Sequence, residues 1–361
     1  MTLAIFLLIA VILAGIQTAI PFLVKRSVIF GVTVPEKQIN NATLTSFKKK
    51  YALLVSLISI IVLASYITWI LLNNPSEELT VLIGTIIQFA IILFSFSFYF
   101  YFHGKTLQLK NSWKSNEPKV KIADLSIRAK DEMLPWYIYL LPIFITIGVI
   151  GYTIVQYDLL PEQIPTHWGI NGEPDAFTAK TPISAISMPL ILLVMQIMFL
   201  SIHTGTKKSG IKLSATATTA SRLRQLTLRK YTSWFMYFTT ILVTGMFSFF
   251  QLRTIHPDLA EGTIVMSIPI IFLVVTLVST IAFSIKVGRS DKITFDESIE
   301  GVTDYDDDAH WKGGLFYFNR NDPSIFVEKR FGVGWTINFG NPIGYLIVLL
   351  PLAIIVILST L

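Results

Sequence analysis

The residues best suited to chemistry fall in two patches. In the first, residues 160–181, His167 and Asp175 flank an Asn171-Gly172 turn signal. An imidazole and a carboxylate that meet across such a turn can hold a cation, exchange a proton, or lock the loop. Glu162, Glu173 and Lys180 add polar groups, while Pro161 and Pro165 stiffen the approach. His256, beside Asp258, lies on another short loop, so a site built from His167, Asp175 and His256 is one candidate. The zinc-peptidase spacing His-Glu-x-x-His occurs nowhere.

The second patch is residues 286–341. Asp296, Glu297, Glu300, Asp304, Asp306, Asp307 and Asp308 lead into His310-Trp311-Lys312-Gly313-Gly314. The alternation Asp304, Asp306, Asp308, His310 looks like the start of a calcium loop. Ala309 and Leu315 occupy the positions that need glycine and the bidentate glutamate, so that motif fails. The favoured reading is an acidic stretch that offsets nearby basic residues, with a divalent-metal site as the alternative. His103 and His203 end two apolar spans on the side of His310, and together these three define a second candidate cluster. A pH response there needs the rings to be close and partly buried. Nothing in the sequence calls for an organic cofactor.

The elements that must carry these groups are membrane helices. The chain has 361 residues, 53% of them hydrophobic and 14% charged, with a mean hydropathy of +0.62. A typical soluble domain is about 25% charged, so lipid is the expected solvent. Cysteine is absent, which removes disulfides and thiolate chemistry. Apolar stretches at 2–24, 51–72, 79–102, 136–157, 182–203, 231–252, 264–285 and 342–361 each match the ~30 Å hydrocarbon thickness at ~1.5 Å per residue. The opening stretch reads as a retained first helix.

Loop charge sets the orientation. In chain order the seven loops carry six, zero, seven, one, seven, one and seven Lys or Arg residues. The alternation predicts both termini outside, with 160–181 outward and 286–341 cytoplasmic. It also explains the net charge of +6 without nucleic acid. The expected fold is therefore an all-α polytopic membrane protein with eight transmembrane helices. A small β-containing cytoplasmic module precedes the last helix. The expected segments are 1–135, a three-helix region with basic loops; 136–203, a helix pair with the outward loop; 204–285, a basic loop and helix pair; the module, 286–341; and the final helix, 342–361. Strands are predicted at 315–319, 324–331 and 335–339. So few residues bury little core alone, so the module should dock on the inner helix ends. Pro342, Gly344 and Pro351 make the last span the weakest helix former.

Pro21, Pro142, Pro189, Pro269 and Pro351 can bend their helices. Gln17, Gln88, Gln196 and Gln156 read as interhelical glue. Intramembrane carboxylates, usual in ion-coupled pumps, are absent from the interiors of these spans. Phe30-Gly31-Val32 recurs as Phe331-Gly332-Val333, marking two places where glycine would admit a tight approach to a helix end. Walker loops, dinucleotide fingerprints and nucleophile elbows are absent.

The outward loop resembles the Pro-x-His-(Trp/Phe)-x-x-x-Gly-x-x-Asp signature of a bacterial family of uncharacterised multipass membrane proteins, a group that includes the SdpI-like immunity proteins. The matching positions are Pro165, His167, Trp168, Gly172, Asp175 and Lys180. The inward segment is similar to a second uncharacterised C-terminal domain, through Asp308, His310, Trp311, Gly313, Gly314, Tyr317, Asn319, Asp322, Pro323, Phe326, Val327, Arg330, Gly332, Gly334, Trp335, Asn338 and Pro342. The resemblance implies a bacterial plasma-membrane protein that senses or resists an extracellular antimicrobial peptide or envelope stress. Its implied partners are the lipid bilayer, that peptide and a cytosolic regulatory protein. A transporter or channel-like component for a small solute or ion is the alternative, and a metal-dependent membrane enzyme the second alternative.

Overall fold

The computed structural model of the chain describes residues 2–113, 119–120, 130–169, 173–260, 263–290 and 303–360. Eight helices among them are long and apolar enough to cross a membrane. They are α1 (Thr2–Leu23), α2 (Ala42–Asn73), α3 (Glu77–Asn111), α4 (Leu140–Val155, led by a 3-10 turn over Trp136–Tyr139), α5 (Pro182–Lys208), α6 (Thr218–Ile255), α7 (Thr263–Gly288) and α8 (Pro342–Ser359). At most 28% of any apolar window is buried inside the protein. Leu53, Ile60, Phe89, Phe144 and Val278 therefore face outward, as side chains solvated by lipid do.

The helices form two triplets. In the first, α1, α2 and α3 pack on one another; in the second, α4, α5 and α6 do so. Helix α7 bridges them by touching α1 and α6, and α8 lies along α5. Each triplet has a polar tie. Tyr51 Oη and Ser95 Oγ are 2.7 Å apart, and Ser95 Oγ donates to Gln17 Oε1 at 2.9 Å. Gln196 Nε2 donates to the Pro142 carbonyl and to the hydroxyls of Thr146 and Thr244. Gln251, which the sequence reading passed over, donates to Thr153 Oγ1 and the Ala185 carbonyl. Such bonds hold helices together where the hydrophobic effect does not.

Several helices extend beyond the predicted apolar runs. Helix α2 starts at Ala42, where the Asn41 side chain accepts from the Thr43 N–H. Helix α3 continues to Asn111, and only residues 209–217 separate α5 from α6. Lysine and arginine are good helix formers, so the helices continue past the apolar limit through basic turns. Helix α8 forms despite its prolines, because Pro342 occupies the first turn and Asn341 caps it.

Among the described residues five two-stranded β units decorate the helix ends. Strands β1 (Val28–Ile29) and β2 (Val32–Thr33) make a hairpin directly after α1. Its turn residues Phe30 and Gly31 have φ of 45° and 76°. Two positive φ values suit a tight hairpin turn but are unusual for phenylalanine. The Phe30 ring is held between Tyr51 and Phe102, both 5.4 Å away between centroids. A short parallel pairing joins β3 (Lys119–Val120) and β6 (Thr303–Asp304). Strands β4 (Gln163–Trp168) and β5 (Pro174–Ala179) form the hairpin between α4 and α5. In the C-terminal module β7 (Trp311–Lys312) pairs β8 (Phe316–Tyr317), and β9 (Phe326–Glu328) pairs β10 (Trp335–Ile337). The three predicted module strands exist but are shorter than expected.

The module docks through close contacts. A Cβ on Gly31 would lie 2.7 Å from the Gly314 Cα, and one on Gly205 would lie 2.7 Å from the Phe326 ring. Gly332 differs: its φ of 94° calls for glycine, yet the nearest atom to an added Cβ is 3.8 Å away. The two Phe-Gly-Val copies are thus not equivalent, and only the first marks a tight approach. Gly31→Ala and Gly314→Ala are each expected to destabilise the protein by about 1–3 kcal/mol, through positive φ and backbone overlap. Gly245→Ala, with open space around it, should be neutral. Thermal unfolding in detergent checks the contrast.

Candidate functional site

The hairpin between α4 and α5 brings the first candidate pair together. His167 Nδ1 and Asp175 Oδ1 are 2.5 Å apart, with side chains 69% and 52% exposed. The register shifts around Thr166 place His167 opposite Ala176 and Trp168 opposite Pro174. Pro165 pairs with Phe177 in a ladder of only two strands, where its missing N–H can face outward. Trp168 packs on Phe250 of α6 with centroids 4.9 Å apart. Ile164 and Leu160 form a buried cluster with Ala185 and Ile255. Lys180 Nζ donates to the Leu160 carbonyl and sits 5.0 Å above the Tyr157 ring. Thr181 and Ser184 complete a capping box that starts α5 where the hairpin ends. His256 does not join the pair: its Nε2 lies 2.7 Å from Tyr152 Oη. Asn171 and Gly172, like Asp296, Glu297 and Glu300 of the acidic lead-in, lie outside the described residues.

The histidines expected on the inner side do not meet. His103 Nδ1 lies 2.7 Å from the Phe30 carbonyl and its ring stacks on Tyr99. His203 is 1% exposed and packs on Tyr139 at 4.8 Å. His310 meets the Tyr317 ring edge at 6.2 Å. The three histidines thus have three separate sets of partners: His103 lies within α3, His203 within α5 and His310 in the module. Among the described residues no three His, Asp or Glu side chains converge as a metal site would require.

What does converge is charge. Arg330, with its side chain 6% exposed, donates to the Gly31 carbonyl at 2.7 Å and pairs with Asp307 and Asp308. Its guanidinium lies 5.0 Å over the Trp311 ring. Lys110, at the end of α3, donates to Asp306 at 2.6 Å and Asp308 at 2.7 Å. The Thr33 N–H also donates to Asp308, at 3.1 Å. A second node joins Lys212, Tyr317 and Asp322. Lys212 Nζ donates to Asp322 at 2.8 Å and to Tyr317 Oη at 3.0 Å, while Tyr317 Oη donates to Asp322 at 2.8 Å. A third clamps α6: Glu328 accepts from Arg224 at 2.5 Å and from Gln225 at 2.7 Å. Arg229 donates to the carbonyls of Thr206, Lys207 and Ser209 and so caps the end of α5.

These partners set the acidities. Burial alone would raise the Asp308 pKa, but Arg330 and Lys110 outweigh it and hold the value down at about 2. Asp322 follows the same logic, with Lys212 and the Ser324 hydrogen bonds prevailing over burial to hold it well below the carboxylate range. Burial would lower Lys212, yet its bonds to Asp322 and Tyr317 leave it raised.

Asn338, fully buried, knots the module. Its Nδ2 donates to the carbonyls of Asn319, Asp322 and Ser324, and its Oδ1 accepts from the N–H groups of Asn319 and Gly340. Trp335 Nε1 donates to Thr232 of α6 at 3.2 Å. Around these nodes is a cavity of about 170 Å³, with Lys25, Lys212, Lys329, Arg330, Asp307 and Glu328 in its wall. Sequence reasoning missed Lys25, Lys110, Lys212, Arg224, Glu328 and Lys329. The cationic members had a sufficient explanation in loop charge, so nothing local distinguished them.

Two comparisons bear on these patches. A domain of unknown function (DUF1648) matches residues 144–193, which span α4, the β4–β5 hairpin and the first half of α5. A family of unknown function (DUF5808) matches residues 320–345, which span β9, β10 and the start of α8. No curated protein and no solved structure matches the chain.

Asp308 and Asp322, with depressed pKa values, favour the folded module at every pH above their ordinary 3.8; the Asp308 contribution is lost as pH falls through about 2, and that of Asp322, held lower still, outlasts it. Limited proteolysis of residues 303–341 should accelerate between those limits. Arg330→Met, which leaves Asp307 only its long contact with Lys212 and Asp308 only Lys110, should cost about 3 kcal/mol at neutral pH. Arg330→Lys should recover little, since one ammonium cannot reproduce the fork. Thermal melts of both variants measure this.

Proposed function

We propose that this integral membrane protein is a non-enzymatic sensor or immunity protein of a bacterial plasma membrane. In this reading the β4–β5 hairpin faces outward and meets an antimicrobial peptide or reports envelope stress. The C-terminal module faces the cytosol and presents a surface to a regulatory protein. The carrying observation is that one helix, α5, holds both motifs. Its first turn is capped by Thr181 at the end of the hairpin. Its last turns pack on the module, where Gly205 meets Phe326, Ser209 Oγ accepts from the Phe326 N–H, and Ser324 Oγ accepts from the Gly210 N–H. At 27 residues and ~1.5 Å each, α5 spans about 40 Å. A displacement of the hairpin therefore has a direct mechanical route to the module.

Two further features support this reading over the alternatives. Of Gln17, Gln88 and Gln196, which would line a transporter's polar path, Gln17 and Gln196 bond within different triplets, while Gln88 Nε2 is buried in α3 without a hydrogen-bond partner among the described residues. The His167–Asp175 pair is open to solvent, where proton transfer gains little from preorganisation. The resemblance to SdpI-like proteins belongs to this proposal as well.

The test is expression in a peptide-sensitive bacterial host challenged with a panel of membrane-active peptides, alongside an envelope-stress reporter. Protection or reporter output is expected with the intact chain. It should be lost in His167→Ala/Asp175→Ala, a variant that still reaches the membrane in normal amount. Unchanged sensitivity and unchanged reporter output with the intact chain would contradict the proposal.

A further inference from the structure

The cavity in the C-terminal module has an unbalanced wall. Four of its lining residues are cationic (Lys25, Lys212, Lys329 and Arg330) and two are acidic (Asp307 and Glu328). Both acids are already engaged. Glu328 accepts from Arg224 and Gln225, and Asp307 pairs with Arg330. On the cationic side Lys212 donates to Asp322 and Tyr317 and also faces Asp307 at 3.9 Å. Lys25 and Lys329 have no ion pair among the described residues. Lys212 is thus answered by Asp322 and, at 3.9 Å, by Asp307, which leaves Lys25 and Lys329 as the two ammonium groups of the wall without an acidic partner among the described residues.

Size narrows the ligand class. The cavity exceeds by far the ~15 Å³ that one water needs and falls below the ~300–1,000 Å³ of sites for drug-sized ligands. Its remaining polar lining includes Ser27, Ser214 and Asn319, of which Ser214 Oγ also bonds Thr216 and Ala217 and the Asn319 side chain bonds Tyr317 and Asn321. Ammonium and hydroxyl donors gathered around a small volume suit a compact, multiply charged oxyanion, for which lysine acts as a point charge.

We propose that this cavity binds a phosphate group, carried either by a small soluble phosphate or by the headgroup of an anionic phospholipid. The site stands whether or not the β4–β5 hairpin receives an outside signal. Because Lys25 follows α1, Lys212 joins α5 to α6 and Lys329 belongs to the module, a bound phosphate would also tie both helix triplets to the module.

The test uses the full chain in two kinds of nanodisc. In uncharged phosphatidylcholine discs, binding of inorganic phosphate and of glycerol 3-phosphate is measured by calorimetry. In discs that also contain phosphatidylglycerol, lipid retained on the protein is counted by native mass spectrometry. Lys25→Gln/Lys329→Gln should weaken the bound species at least about tenfold, since each substitution removes a charge-assisted hydrogen bond. Lys25→Arg/Lys329→Arg should restore most of it and shows that the fold survives changes at both positions. Lys50→Gln/Lys105→Gln, altering two lysines that line a separate groove between α2 and α3, should leave binding unchanged. Binding in the first discs assigns a soluble phosphate, and lysine-dependent retention in the second alone assigns a lipid. Absence of both, or equal binding by the Gln pair and the intact chain, overturns the proposal.

Discussion

The described structure depends on one buried guanidinium. Arg330 joins the β1–β2 turn, through the Gly31 carbonyl, to a stretch about 280 residues away in sequence, through Asp307, Asp308 and the Trp311 ring. A charge so shielded from solvent is tolerable only when every donor is answered. Meeting that demand places Asp308 where Lys110 of α3 can also reach it. The ion network thereby fixes the module on the first triplet. The glycine contacts of Gly31 and Gly314 follow from the same approach, because only bare backbone lets the two turns close to this distance.

The second triplet is held differently. Glu328 clamps Arg224 and Gln225 of α6, while Phe326 fills the space beside Gly205 of α5. The module therefore works as a staple between two helix groups whose mutual contacts run mainly through α7. Lipid offers no hydrophobic drive for bringing apolar helices together, so association rests on packing and polar ties. A polar module outside the apolar spans supplies those ties in a region where charge can be solvated. Lys25 and Lys329 in its cavity wall have no acidic partner among the described residues.

Different layers of this arrangement were legible in the sequence to different degrees. The eight spans could be read because hydrocarbon thickness imposes a length and a composition that loops do not share. The His167–Asp175 contact could be read because the turn between them is short. The β1–β2 hairpin could not: its turn carries Phe30 at positive φ, a choice explained only by the aromatic cage of Tyr51 and Phe102. The roles of Lys110, Lys212 and Arg224 were hidden because membrane topology already accounts for basic loops. His103, His203 and His310 looked like one cluster on a one-dimensional map, whereas each meets different partners: the Phe30 carbonyl, the Tyr139 ring and the Tyr317 ring. Their separation is a property of helix arrangement, which no local pattern encodes.

The central claim is that α5 transmits the state of the hairpin to the module. Hydrogen exchange of the full chain in nanodiscs tests it most directly, comparing the intact protein with Trp168→Ala, which removes the hairpin's ring contact with Phe250 of α6. The account predicts faster exchange both in residues 163–179 and, at the far end of α5, in residues 326–328 and 335–337. Faster exchange confined to the hairpin, with the module unchanged, would contradict it.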